Sequence, residues 1–266
     1  MKGSSIEGVV KMKKITFWSN NHRIIGILDA ANGDKRPGIL MLHGLTNTKE
    51  DCPLISQVKE TLCIEGYATF RFDFYGSGES EGQFKDKTIS EMVTNAKDAL
   101  DVLSSNKLVE GQNIGLWGRS IGGLVAAMLM RDERVRTSVL ASAPIFPYKT
   151  FYPLYARDLT RDFVPLPQGT VSGKIKGKPE LPKAFFTELQ DIENKTSQAL
   201  QGASSILIIQ GDQDKKVNPQ YARWIYDTVK EPKELLMVKG AGHDYSGKEN
   251  QVISAVRRWY TSHLPI

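Results

Sequence analysis

The chain has 266 residues, 40% hydrophobic and 24% charged, with a formal net charge of +5 and a sequence pI near 9.0. This composition is that of an ordinary globular protein rather than a disordered chain, and the length fits one large α/β domain or a domain with an insertion. The basic residues are scattered and offset by 30 acidic ones, and no segment has the apolar run of a signal peptide or a membrane span. We therefore expect a cytoplasmic protein that binds no nucleic acid and does not insert stably into membranes.

The first part of the chain predicts strands around one helix. Alternating apolar residues at 14–18 and 23–28 predict a β-hairpin with Asn20-Asn21 at its turn. The apolar run 38–43 predicts a strand buried on both faces, followed by a helix over 49–65 and a strand over 67–72.

The rest of the chain alternates between helices and strands. The predicted helices are 88–104, 120–131, 219–230 and 249–263, and the predicted strands are 113–117, 135–141, 205–210 and 234–238. This alternation predicts right-handed βαβ crossovers and a mainly parallel sheet with helices on both faces.

About sixty residues between the strands at 135–141 and 205–210 interrupt this alternation, since a connection between neighbouring parallel strands needs far fewer residues. The segment is rich in aromatic residues and prolines, and residues 168–178 look like a hairpin with Gly173 at the turn. We interpret residues 1–143 and 201–266 as a core domain and residues 144–200 as an inserted cap over the site.

The motif with the most specific chemistry is Gly118-Arg119-Ser120-Ile121-Gly122, a G-x-S-x-G sequence between a predicted strand and a predicted helix. A serine in so tight a turn points its hydroxyl out of the sheet, and side chains at the flanking glycines would collide with backbone. The alternative is a plain strand–turn–helix junction. We predict that Ser120 is a nucleophile.

A serine hydroxyl needs a base, and the base needs an orienting acid. Of the four histidines, His243 lies in a glycine-flanked loop after the last strand, where it can fold back over the strand ends. The acid is expected after the strand at 205–210, where Asp212 and Asp214 compete. Asp214 is further along the loop and is favoured; Asp212 is expected to fix the turn.

Two backbone amides are expected to bind the developing oxyanion. One is that of Ile121, next to the nucleophile. The other is that of Leu45, in the loop after the strand at 38–43, where Gly44 permits a close approach; the alternative is a plain strand end.

The glycine-rich loop 73–82 could suggest phosphate binding, but it lacks the lysine and the spacing of a P-loop. We interpret it as a structural turn in which Asp73 binds local backbone. No metal or organic cofactor is expected.

The segments HGLTNTKED, FRFDFYGSGESEGQF, GRSIGG, GDQDKKV and GAGHDYSG, in this order, resemble the α/β-hydrolase superfamily and, more narrowly, bacterial cinnamoyl/feruloyl esterases and related carboxylesterases. The resemblance covers about residues 14–262. It implies the triad of Ser120, Asp214 and His243, oxyanion donation by Leu45 and Ile121, an inserted cap, and often a homodimer. Leu45 and Ile121 replace an aromatic residue and a glutamine frequent in that group, which alters the acyl-side pocket but keeps both amides.

The sequence therefore predicts a serine carboxylesterase acting on a small-molecule ester through an acyl-enzyme, with feruloyl and cinnamoyl esters as candidate substrates. Candidate substrate-binding residues in the cap are Tyr148, Tyr152 and Tyr155. Monoacylglycerol lipase, thioesterase and serine peptidase are alternatives, and a ligand-binding receptor on the same fold is the non-enzymatic one. A dehalogenase is disfavoured because it needs an aspartate at position 120.

Overall fold

The computed structural model describes residues 10–155, 159–171 and 175–266. Its strands, in chain order, are β1 Val10–Ser19, β2 His22–Ala31, β3 Arg36–Leu42, β4 Ala68–Phe72, β5 Val109–Arg119, β6 Val135–Ala141, β7 Phe163–Pro165, β8 Glu180–Pro182, β9 Ile206–Gly211 and β10 Lys233–Val238. Eight of them form one sheet in the order β1-β2-β4-β3-β5-β6-β9-β10. β1 and β2 are antiparallel to their neighbours, and all other neighbours are parallel. The predicted α/β architecture is confirmed.

Helices cover both faces of the sheet. They are α1 Pro53–Ile64, α2 Ile89–Ser104, α3 Ile121–Leu129, α4 Pro147–Tyr155, α5 Lys183–Thr187, α6 Leu189–Leu200, α7 Gln220–Thr228 and α8 Glu249–His263, with a short 3₁₀ helix at Phe84–Asp86. α1 and α8 pack with one apolar cluster, and α2, α3 and α7 with the other. The strands of the sheet contribute side chains to both clusters. In β3, for example, Ile39 and Met41 belong to the first cluster, and Leu40 and Leu42 to the second, because successive side chains point to opposite faces.

The N-terminal hairpin forms as predicted and is longer than its apolar pattern. Asn20 and Asn21 both have positive φ angles, 47° and 63°, which suit a two-residue turn between twisted strands. β5 is also longer than predicted, because its first residues are too polar to show the buried pattern.

The helix predicted over 49–65 is wrong at its start, since α1 begins only at Pro53. Before it, the amide of Thr48 donates to Asp51 and the amide of Asp51 donates to Thr48 Oγ1, which closes a local turn. These side chain–backbone bonds compete with helix, and proline is favoured at the first helical position.

The segment between β6 and β9 contains α4, the β7–β8 pair, α5 and α6. The antiparallel pair lies at 163–165 and 180–182, outside the hairpin predicted at 168–178, and Gly173 lies outside the described residues. α6 packs against α3 and α4. Glu188, at the start of α6, accepts hydrogen bonds from the amides of Ile89 and Ser90 at the N-terminus of α2, which fixes the segment to the core.

Within the described ranges, no helix has the length and hydropathy to span a membrane.

Candidate active site

Ser120 lies in a sharp turn between β5 and α3, at φ 55° and ψ −128°, a backbone conformation that costs free energy in an ordinary residue. The turn closes only because its neighbours are glycines. A Cβ on Gly118 would be 2.2 Å from the Gly122 carbonyl oxygen, and one on Gly122 would be 2.2 Å from the Leu42 oxygen. The amide of Ser120 donates to Ala141 of β6, and α3 begins with the next residue. This sharp turn therefore places the Ser120 hydroxyl above the carboxyl ends of the parallel strands.

Three side chains far apart in sequence form a continuous hydrogen-bonded chain at this edge of the sheet. His243 Nε2 lies 3.0 Å from Ser120 Oγ, and His243 Nδ1 lies 2.8 Å from Asp214 Oδ2. The histidine loop follows β10, and the aspartate loop follows β9. The structure thus brings together the serine, histidine and aspartate that the sequence predicts.

Asp214 is buried, and each of its oxygens accepts two hydrogen bonds. Oδ1 accepts from the amides of Lys216 and Val217, while Oδ2 accepts from Gln210 Nε2 as well as from His243. Burial alone would raise the pKa of this carboxyl, but the bonds from His243 and the two amides outweigh it and lower the pKa below its usual value. Asp214 is therefore an anion that fixes the imidazole ring.

The competing aspartate has a different partner. Asp212 Oδ1 accepts from the amide of Gly240 at 2.7 Å, at the beginning of the histidine loop. Gly211 permits that loop to approach, because a Cβ there would be 2.4 Å from the Ala241 oxygen. The partner of Asp212 thus lies in the histidine loop, outside its own turn, and Asp214 is the carboxylate that contacts the histidine.

The loop after β3 passes directly beside Ser120. A Cβ on Gly44 would be 3.6 Å from the serine Cβ and 2.8 Å from Asn47 Oδ1, so a glycine is needed for the loop to come this near. Leu45 lines the same cleft as Ser120 and His243. Ile121 is the first residue of α3, where amides have no partner within the helix. Both predicted oxyanion donors therefore belong to segments that border the serine.

Arg119 connects two loops of the site, a role that the sequence analysis did not predict. Its guanidinium is buried; Nη2 donates to the carbonyl of His243 and to the carboxylate of Asp244, and Nη1 lies 3.4 Å from Asn47 Oδ1. The residue before the serine thus ties the histidine loop to the loop after β3. The order of residues in the motif gave no sign of this contact, because it joins positions more than 70 residues apart.

The cleft above Ser120 is small, about 50 Å³, with mixed walls. Besides the residues above, it is lined by Thr46, Thr150, Phe151, Thr170, Lys216 and Val217. The 144–200 segment therefore contributes to the described wall. Its contribution from α4 is Thr150 and Phe151, and neither Tyr148 nor Tyr152 is part of that wall.

Tyr148 and Tyr152 are one helical turn apart, so they share one face of α4. Their rings stack on each other at a centroid distance of 4.8 Å. The Tyr155 side chain lies outside the described residues. Helical periodicity separates Thr150, which is two residues from either tyrosine, from the face that the tyrosines share.

The glycine-rich loop 73–82 is held by internal contacts. Asp73 is fully buried and accepts from the amides of Lys49 and Glu79 and from Lys49 Nζ. This agrees with the expected structural turn. Over the described ranges, no group of three or more histidine, cysteine or acidic residues is arranged to hold a metal ion.

The comparisons with known proteins agree with this architecture. The prolyl oligopeptidase family matches residues 54–264. An uncharacterized 31.7 kDa protein of Escherichia coli is 26% identical over 269 residues, covering 86% of this chain and 92% of that protein. A polyketide transferase of Stachybotrys chlorohalonatus is 23% identical over 249 residues, covering 80% of this chain and 83% of its own length. The structure of Est1E from Butyrivibrio proteoclasticus with ferulic acid bound has a TM-score of 0.78 at 23% identity, covering 95% of this chain and 100% of that one.

The mainly parallel sheet, with a serine elbow after β5, an aspartate after β9 and a histidine after β10, defines a hydrolase of the α/β fold. Within that class, the chain belongs to the prolyl oligopeptidase family. The part of the chain that matches this family extends from α1 through the C-terminal helix.

Proposed function

We propose that the protein is a serine carboxylesterase in which Ser120 is the nucleophile, His243 the general base and acid, and Asp214 the residue that orients the histidine. The observation that carries the proposal is the hydrogen-bonded chain from Ser120 Oγ through the imidazole to Asp214, with links of 3.0 and 2.8 Å. Both distances are within the reach that proton transfer requires.

The partners of Asp214 support one tautomer of His243. The carboxylate can only accept, so Nδ1 carries the proton and Nε2 has a free lone pair toward Ser120. That lone pair accepts the serine proton as Oγ bonds to the ester carbonyl carbon and the carbonyl π electrons move to oxygen. The amides of Leu45 and Ile121 then stabilise the oxyanion.

The remaining steps return the enzyme to its starting state. The oxyanion collapses, the bond to the leaving oxygen breaks, and His243 gives its proton to the departing alcohol. Water then donates a proton to His243 and attacks the acyl-enzyme. A second collapse releases the carboxylic acid and returns the proton to Ser120 Oγ.

We further propose that residues 144–200 act as a cap that shapes the substrate site. Thr150, Phe151 and Thr170 come from this segment and line the cleft beside Ser120. The small volume favours a short acyl group or a cap that shifts when larger substrates bind. The ferulic acid bound by Est1E makes methyl ferulate a further ester to test.

The test is turnover of p-nitrophenyl acetate and p-nitrophenyl butyrate by the wild-type protein and by Ser120→Ala. We expect hydrolysis by the wild type and a loss of about 10⁴-fold or more in the variant. Equal rates for the two folded proteins would refute the serine mechanism. A folded wild-type protein that hydrolyses neither ester would instead favour a receptor.

A parallel panel distinguishes the enzymes of this fold. It contains methyl ferulate, a monoacylglycerol, an acyl-CoA thioester and a peptide p-nitroanilide, the last because of the family to which the chain belongs. The carboxylesterase proposal predicts the largest kcat/KM for a simple carboxylic ester. A larger value for the peptide or the thioester would replace the proposed substrate class but keep the triad.

A further inference from the structure

Lys87 is a fully buried lysine that the proposed mechanism does not use. It lies just before α2 and is 1% exposed. Within the described part of the chain, no carboxylate oxygen lies within 4 Å of its Nζ, whereas the buried Lys49 contacts both Asp73 and Glu79. Burial lowers the pKa of Lys87 to about 7, the sign of a costly environment for an ammonium group.

The hydrogen bonds of Lys87 lead to the loop beside Ser120. Nζ donates to the carbonyl oxygen of Leu45 at 2.9 Å and to Ser77 Oγ at 2.5 Å, and it lies 4.8 Å from the centroid of the Phe84 ring. Leu45 is the residue whose amide we propose as an oxyanion donor.

The preceding carbonyl of the same loop is held by another buried side chain. The amide of Phe74 donates to His43 Nε2 at 3.2 Å, so Nε2 must be unprotonated and the ring proton lies on Nδ1. That proton points to the Gly44 oxygen, 2.7 Å away. Burial, followed by the nearby charge of Lys87, lowers the pKa of His43 to about 4, which keeps this tautomer neutral.

Two consecutive carbonyls, those of Gly44 and Leu45, are therefore both occupied by buried donors from the protein interior. The amide of Leu45 belongs to the same peptide group as the Gly44 oxygen, and the two point in opposite directions across a trans peptide bond. The bond from His43 holds the Gly44 oxygen inward and so directs the Leu45 amide toward the cleft. The bond from Lys87 holds the next peptide group of the loop, which limits rotation of the Leu45 residue between the two.

We propose that Lys87 is a positioning residue for the oxyanion-binding loop: its Nζ group donates to the Leu45 carbonyl and so holds this part of the loop against the interior. This inference rests on the proposed function, since it assigns Lys87 a role in stabilising the oxyanion of that reaction. The contribution is specific to the transition state, because the ester carbonyl carries its full negative charge only there.

The test compares Lys87→Met with the wild type in hydrolysis of p-nitrophenyl acetate. Methionine has a similar shape but no hydrogen-bond donor. We expect kcat to fall about 10- to 100-fold, within the range for a misplaced oxyanion donor, while KM changes by less than about threefold. The inhibition constant of phenylboronic acid, which forms a tetrahedral adduct with the serine, is expected to rise by a similar factor.

Two control variants separate this role from general support of the structure. Lys97→Met makes the same substitution at an exposed position of α2 and should leave kcat and KM unchanged. Ser77→Ala removes the other partner of Lys87 but keeps its bond to Leu45, so kcat should stay within about threefold of the wild type. If Lys87→Met does not fold, Lys87→Gln is measured in its place.

The outcomes are distinct. A folded Lys87→Met protein with wild-type kcat, or one whose KM alone rises, overturns the role of Lys87 and leaves the proposed esterase standing. A loss of kcat in Ser77→Ala as large as in Lys87→Met also overturns it, because the lysine would then act through the glycine-rich loop. A wild-type protein without esterase activity overturns both proposals.

Discussion

Replacing Asp214 with asparagine tests how the acid acts on the base. Asparagine has the shape of aspartate but only one oxygen. The amides of Lys216 and Val217 are fixed donors on one side of the carboxylate, so they retain the oxygen. The new NH₂ group then faces Gln210 Nε2 and His243 Nδ1, both of which donate to Asp214 in the wild type.

His243 relieves this donor–donor conflict by exchanging tautomers. Its Nδ1 becomes the acceptor and the proton moves to Nε2, which lies 3.0 Å from Ser120 Oγ. An imidazole protonated at that position cannot accept the serine proton. We expect kcat/KM to fall about 10⁴-fold, which corresponds to roughly 5.5 kcal/mol of transition-state stabilisation.

The assay is hydrolysis of p-nitrophenyl acetate by Asp214→Asn, with circular dichroism to verify the fold. Asp212→Asn is the matched control, because Asp212 accepts one bond from the amide of Gly240, which an amide oxygen can also accept. The control should retain activity within about threefold. A folded Asp214→Asn protein that loses less than about tenfold would refute the tautomer argument.

Three further predictions concern the supports of the site and of the sheet. Arg119→Met removes the hydrogen bonds to the histidine loop and should lower kcat for the same ester about 10- to 100-fold. An unchanged kcat would show that the histidine loop keeps its position without Arg119. Tyr245→Phe removes a buried hydroxyl that donates to Ile209 and pairs with Ser142, so the free energy of unfolding in urea should fall by about 1–3 kcal/mol, and an equal stability would contradict this assignment. Hydrogen bonds from Lys14 and Lys49 lower the pKa of Glu79 to about 2, so its contribution is present above the unfolded pKa and lost as pH falls through about 2. Glu79→Gln should therefore be less stable than the wild type at pH 6, with a difference that shrinks toward pH 2; a constant difference would contradict the linkage.

The fold was largely predictable, because apolar periodicity and glycine positions depend on local sequence. β6 and α8 have the bounds that their patterns predict. The start of α1 was not predictable from periodicity, since the turn at Thr48 and Asp51 depends on side chain–backbone bonds that compete with the helix. The β7–β8 pair was missed because its strands have only three residues each, too few to show an alternating pattern.

The site was predictable where a residue type and its place after a strand coincide, as for Ser120, Asp214 and His243. The residues that hold the loops of the site in place could not be predicted from the sequence. Arg119 and Lys87 act through contacts with carbonyls of distant loops, and such contacts leave no pattern in the sequence around them. A buried cation looks like any surface lysine or arginine until the neighbouring elements are in place.

In the proposed mechanism, the hydroxyl of Ser120 is activated by the imidazole of His243, which it contacts. Labelling with a fluorophosphonate probe, followed by mass spectrometry of the intact protein and of its peptides, measures this directly. We expect one phosphonyl group per chain, on the peptide that contains Ser120, with labelling abolished in Ser120→Ala and strongly slowed in His243→Ala. A folded wild-type protein that takes up no label, or one labelled equally after Ser120 is replaced, would contradict it.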